Sequence, residues 1–166
     1  MQQLRIGSTV NLGIGKAKVL GVIKLHTYDD DEYFVKMDLP GQGSKHFWLE
    51  TGKEWRLWRK VKPPFRLPVL LSFLKGSWDK RYLLGQGRAG LNWLIIQEVG
   101  FAQVLKADGE TEGTSLNDKV IYVEGYFQEK AGHEFNLFVA EIWNGNGNGS
   151  GEMECYEGRV VDIKDI

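Results

Sequence analysis

The segment 53–62, KEWRLWRKVK, interleaves aromatic rings with cations. On a strand, side chains alternate between faces. Trp55, Leu57 and Arg59 then share one face, and Arg56, Trp58 and Lys60 share the other. The first face suits a core. The second sets an indole between two cations, a platform on which a base can stack or an anionic group can dock. Trp55, Arg56, Trp58, Arg59 and Lys60 are therefore the candidate binding residues. A structural reading competes with this one: Trp58 is covered by the second half of the chain, and Arg56 and Lys60 pair with its acids. The charge distribution favours the structural reading. Residues 1–66 carry 12 Lys and Arg against 7 Asp and Glu, whereas residues 67–166 carry 9 against 15, although the net charge is only −1. Either the two halves attract each other within one fold, or the basic half meets an anionic partner.

Other reactive residue types lack the spacing that catalysis or metal binding needs. His26, His46 and His133 fall in three separate segments, none at the short spacing of metal-ligand pairs, so each reads as a strand-edge or turn residue. No G-x-S-x-G elbow is present. Cys155 is the single cysteine, so it has no disulfide partner within the chain and no second thiol for zinc. Glu154 and Glu157 flank it, and their charge raises a thiol's pKa instead of activating it. Residues 85–90 match G-x-G-x-x-G, but the stretch that follows is β-prone where a phosphate-binding turn needs a helix, which predicts a hairpin. Asp29, Asp30, Asp31 and Glu32 lack the spaced ligands and central glycine of a calcium loop and read as a solvated turn. Glu110, Glu112, Glu124, Glu141, Glu152, Glu154 and Glu157 could supply a hydrolytic pair only if two of them converge in a cleft. No catalytic residue, metal ligand or cofactor is assigned, and the balance leans away from an enzyme.

The elements that must position these residues are short strands. Apolar alternation predicts strands over 10–12, 17–25, 33–39, 45–49 and 55–61, with a bulge or bend at Gly21. On the third of these, Tyr33, Val35 and Met37 face one way and Phe34 and Lys36 the other. Pro63, Pro64 and Pro68 interrupt the pattern, and 69–75 reads equally as a helical turn or a buried strand. Strands follow over 91–98, 101–107, 120–128, 135–143 and 154–163, with a polar loop at 111–118 and a Gly/Asn-rich loop at 144–151. Phe47-Trp48-Leu49-Glu50 is echoed by the segment 137–143, LFVAEIW, which suggests that the halves repeat one plan.

The expected fold is mainly β: two small antiparallel barrel-like modules packed into one compact unit, with at most a short helical segment between them. The divisions are a basic module at 1–62, a connector at 63–84 and an acidic module at 85–166. The 42% hydrophobic and 26% charged composition is that of a globular chain. With neither a basic leader followed by an apolar run nor a stretch long enough to span a bilayer, a soluble, cytoplasmic protein is expected.

Ile6-Gly7-Ser8-Thr9-Val10, Val19-Leu20-Gly21-Val22-Ile23, an acidic turn, Phe47-Trp48-Leu49-Glu50 and a following Trp55 resemble the bacterial domain of unknown function 4178 family. Gly100-Phe101-Ala102-Gln103-Val104, Glu141-Ile142-Trp143 and Tyr156-Glu157-Gly158 extend the resemblance over nearly the whole chain. It implies an accessory module of a bacterial protein assembly, linked to membrane stress, and carries over no catalytic residue. Three readings of function follow. The first is a non-enzymatic interaction module with a protein partner, nucleic acid or another anionic ligand being open to the basic half. The second is a β-barrel that binds a small molecule or oligonucleotide in a cleft between the modules. The third is a hydrolase using acidic residues.

Overall fold

Period-two burial runs along the chain and organises it into antiparallel strands. The computed structural model describes residues 4–13, 15–27, 30–39, 45–52, 54–75, 81–87, 90–128, 135–144 and 152–162. Its strands are β1 (Thr9–Asn11), β2 (Lys16–His26), β3 (Asp31–Leu39), β4 (Lys45–Thr51) and β5 (Trp55–Val61), then β6 (Arg81–Gly87), β7 (Gly90–Gly109), β8 (Lys119–Phe127), β9 (Leu137–Asn144) and β10 (Met153–Val161). One helix, α1 (Leu67–Leu74), stands between the two sets.

The strand order is β1-β2-β3-β4-β5-β10-β9-β8-β7-β6, and β2 also pairs with β7. Eight strands thus close into one antiparallel barrel, with β1 and β6 outside the ring. The order reads as five strands of the first half followed by five of the second in reverse. Two seams join the halves: β5 with β10, and β2 with β7.

The mainly β architecture with one short helix between the halves agrees with expectation, but the closure differs in kind. The halves keep separate apolar cores, yet they share a single ring of strands. Val10, Leu12, Val19, Val35, Met37, Leu49 and Leu57 form the first core. Phe65, Leu70, Phe73, Leu94, Ile96, Val123 and Phe138 form the second.

Two bulges let one strand serve both a core and the ring interior. In β2 the register slips at Leu20, between Val19 and Gly21. Ala17 and Val19 therefore pack in the first core, whereas Ile23 and Leu25 turn inward. In β7 the slip falls at Gln97, between Ile96 and Glu98. Leu94 and Ile96 lie in the second core, and Ala102 and Val104 turn inward. An extra residue reverses which side later side chains face, which is how a strand crosses between packing layers. Gly21 is required at the first crossing, because a Cβ there would overlap the backbone carbonyl of Glu110.

The segment that read equally as helix or strand is helix. Pro68 sits in its first turn, where the missing N–H is no loss, and Leu70 and Phe73 recur on one face and are buried. Phe65 meets Phe73, Tyr82 and Phe138 edge to face, so α1 and the chain before it lid the second core. The two strands expected over 91–98 and 101–107 are one 20-residue strand, since Gly100 stays paired, opposite Tyr122. The G-x-G-x-x-G segment is a β6–β7 hairpin, with Gly87 opposite Gly90. The loop expected at 144–151 and His133 fall on residues outside the described set, Asn144 excepted as the end of β9. Among the described residues, no helix is long and apolar enough to cross a membrane.

Candidate functional site

Register sets what faces the ring interior. On β4, Trp48 and Glu50 lie opposite Trp58 and Arg56 of β5. On β9, Val139 and Glu141 lie opposite Tyr156 and Glu154 of β10. All of these except Arg56, together with Glu32 and Phe34 of β3, Tyr122 and Glu124 of β8 and Trp143 of β9, line one cavity of ≈ 60 Å³. One water needs about 10–15 Å³ on this measure, so the space admits a few waters or a small organic group. A second, separate cavity of ≈ 190 Å³ is lined by Arg56, Trp58, Gln97, Glu98, Glu124, Gly125, Leu137 and Phe138.

The echo between the halves has a structural counterpart here. Phe47 and Leu49 sit in the first core, while Trp48 and Glu50 face the lumen. Phe138 and Ala140 sit in the second core, while Val139 and Glu141 face the lumen. Each half thus uses Phe-x-x-Glu on its fourth strand to anchor a core and to present one carboxylate inward.

Two glycines seat lumen aromatics. Gly158 lies directly opposite Trp58, and Gly100 directly opposite Tyr122. A Cβ at either would overlap the ring of its partner, so each ring lies across a strand that has no side chain there.

The aromatic polar groups point to carboxylates. Trp58 Nε1 donates to Glu50 Oε1 at 3.3 Å, and Trp143 Nε1 to Glu141 Oε1 at 3.2 Å. The Tyr156 hydroxyl donates to Glu154 at 3.0 Å, and the Tyr122 hydroxyl to Glu98 at 3.2 Å. Burial pushes Glu50 up to about 8, reinforced by the charges of Glu124 and Glu32. Burial likewise pushes Glu141 up to about 8 and Glu124 to about 7. Glu32 is raised by burial and by Glu98. Burial and the neighbouring acids also raise the phenols of Tyr122 and Tyr156.

Cations reach this acidic wall mainly from the first half. Arg56 stands 3.7 Å from Glu124, 3.9 Å from Glu50 and 2.9 Å from Glu54. Lys60 is 3.7 Å from Glu154, and Lys36, only 6% exposed, is 3.3 Å from Glu112. Glu112 and Gly113 both have positive φ, as the centre of a mirror-image turn closed by Thr114 N–H to the Thr111 carbonyl at 3.1 Å. The Lys36 pair holds a glutamate at a backbone position that disfavours it. The polar loop after β7 is in this way drawn to the lumen, with Glu112 and Thr114 on its wall.

Of the five candidate binding residues, the structure brings three to the lumen face. Arg56 and Trp58 contact the cavities, and Lys60 lies on the same side of β5, paired to Glu154. Trp55 and Arg59 are on the opposite face. Trp55 packs on the first core, and Arg59 pairs with Glu157 at 3.0 Å and stacks on Phe135 at 3.9 Å. Trp58 is 3% exposed, so it is no surface platform. The opposite charges of the halves are spent on each other, through Arg56–Glu124, Arg59–Glu157, Lys60–Glu154 and Lys36–Glu112.

Among the seven acids weighed for hydrolysis, Glu112, Glu124, Glu141 and Glu154 line the lumen. Glu32, read as part of a solvated turn, lines it too, as does Glu50, named only as the end of a repeated segment and not among the acids weighed. The available signal was the repeated Phe-x-x-Glu. Cys155 is fully buried, and burial with Glu141 and Glu154 pushes its thiol up to about 12. His26 Nδ1 lies 2.7 Å from Asp31 at the β2–β3 end, and that hydrogen bond lowers the Asp31 pKa. Comparison with family models, curated proteins and solved structures finds no match to this chain.

Proposed function

We propose that the chain is a binding barrel that takes a small organic molecule into the lumen between its halves. The observation that carries this reading is a concave interior lined by Phe34, Trp48, Trp58, Tyr122, Trp143 and Tyr156, with carboxylates at defined places among them. Apolar walls with few, fixed polar groups are what small-molecule sites need. Arg56, Arg59 and Lys60, the cations beside Trp58 that would have met an oligonucleotide, each pair with a carboxylate of the second half.

The test is a titration with the small neutral apolar probe cyclohexanol, followed by calorimetry and tryptophan fluorescence. Saturable one-to-one binding is expected, lost in Ala102→Phe, which fills the lumen from β7 while circular dichroism stays unchanged. Binding that never saturates, or that survives Ala102→Phe in a folded chain, would remove the lumen as the site.

A second reading, docking on a protein partner, is favoured by one observation. Phe101 is 50% exposed and lies opposite the exposed Ile121, with Val99 beside it on the outer side of β7 and β8. If a partner covers this face, Phe101→Asp should leave the melting temperature within about 2 °C and abolish crosslinks that the parent chain forms in cells. Identical crosslinks from both would end this reading.

A further inference from the structure

From the pairing of aromatic faces with carboxylates we infer that the lumen selects an organic cation, a substituted ammonium group seated against Trp48 and Trp143 with Glu50 and Glu141 as counter-charges from opposite halves. The inference rests on the lumen being a small-molecule site.

Three independent features lead to it. The first is charge. Among the described residues, neither Glu32 nor Glu141 has a cation within ion-pair distance, and Glu50 shares Arg56 with Glu54 and Glu124. A carboxylate in an apolar cavity must be paired or protonated, so a guest that brings positive charge is favoured over one that brings none.

The second is ring chemistry. The indole N–H groups of Trp58 and Trp143 are directed at Glu50 and Glu141. A ring whose N–H donates to a carboxylate is electron-rich on its faces, and tryptophan is already the strongest aromatic partner for a cation. The polar edge of each ring is thereby occupied. The side chains of Trp48 and Trp143 are only partly buried and line the cavity, so these are the indoles a guest can meet, whereas Trp58 is closed off.

The third is placement. Glu50 and Glu141 occupy matching positions on the fourth strand of each half, so each half contributes an acid to the lining of the lumen. A bulky, weakly hydrated ammonium group fits that arrangement better than an anion, which would face carboxylates whichever way it entered.

Choline and its uncharged carbon isostere 3,3-dimethylbutan-1-ol separate charge from shape. At about pH 8, choline is expected to bind at least about 10-fold more tightly in a calorimetric or tryptophan-fluorescence titration. Glu50→Gln and Glu141→Gln should each reduce that preference by about 3-fold or more, while the isostere's affinity stays the same. Both variants remove a destabilised charge and keep the side-chain shape, so folding is not at risk. Equal binding of the two probes would overturn the cation inference and leave the lumen reading standing. Failure of both probes together with cyclohexanol would overturn the two readings at once. Failure of both probes with cyclohexanol still bound would overturn only this one.

Discussion

Trp58→Ala should lower the free energy of unfolding by about 3–5 kcal/mol in a urea titration, the range found when a buried large aromatic is truncated. The expectation follows from where the ring sits. It is almost fully buried, lies across Gly158 of β10, packs with Val139 and Tyr156, and ties β5 to β4 through Glu50. Its loss leaves a hole at the β5–β10 seam and a buried carboxylate without its donor. An exposed stacking platform would behave differently, since surface substitutions fall within about 0.5 kcal/mol. A loss under about 1 kcal/mol would therefore contradict the burial of Trp58. Gly158→Ala is a companion from the other side of the contact, because its methyl group would displace the same ring. It should destabilise the fold in the same direction, by about 1–3 kcal/mol.

Stability should fall as pH rises through the neutral range. Glu50 and Glu141 lie near 8 and Glu124 near 7 in the folded chain, all raised from 4.5. A carboxyl whose folded pKa is raised binds its proton more tightly folded than unfolded. Its contribution is thus fully present below about pH 4.5 and lost progressively until pH passes the folded value. The groups facing Glu50 are Arg56, Trp58, Glu124 and Glu32, and those facing Glu141 are Trp143, Glu154, Glu124 and Lys60. In both sets burial outweighs the nearby cations. Glu50→Gln should match the parent within about 1 kcal/mol near pH 5 and exceed it by about 2–4 kcal/mol near pH 9. Urea titrations at the two pH values measure this, and a variant no more stable than the parent at pH 9 would show that Glu50 ionises without cost. Affinity for an ammonium guest should run the other way, rising from pH 6 to pH 8.5 as the guest displaces protons.

Much of the strand plan was legible because strand faces alternate. The division of β3 into Val35 and Met37 against Phe34 and Lys36, and of β5 into Trp55 and Leu57 against Arg56 and Trp58, needs only period two. The pairing of basic and acidic halves was one of the two readings that the charge asymmetry allowed. The ring closure was not. It depends on extra residues at Leu20 and Gln97, and a bulge has no period to detect, although Gly21 marked the first of them. The lumen carboxylates were hidden for a related reason. Glu32 read as part of a solvated turn and Glu50 only as the end of a repeated segment, and only the closing of β2 on β7 turns the strand faces that carry them into an interior. The echo between 47–50 and 137–143 was visible as a repeat, but a repeat does not say that its acids line a common cavity.

The two seams also bear on how the chain reaches this state. Arg59 and Glu157 meet across β5 and β10 although 98 positions separate them. The first five strands therefore have no means of covering the β5 edge until the second half has been synthesised. A fold with such distant pairings is expected to acquire its native ring slowly. Until then β2 and β5 present open backbone edges, the state in which β-rich chains are most prone to join one another. The charge difference between the halves gives the late arrival direction, because the basic β5 draws in an acidic β10 and repels a second copy of itself.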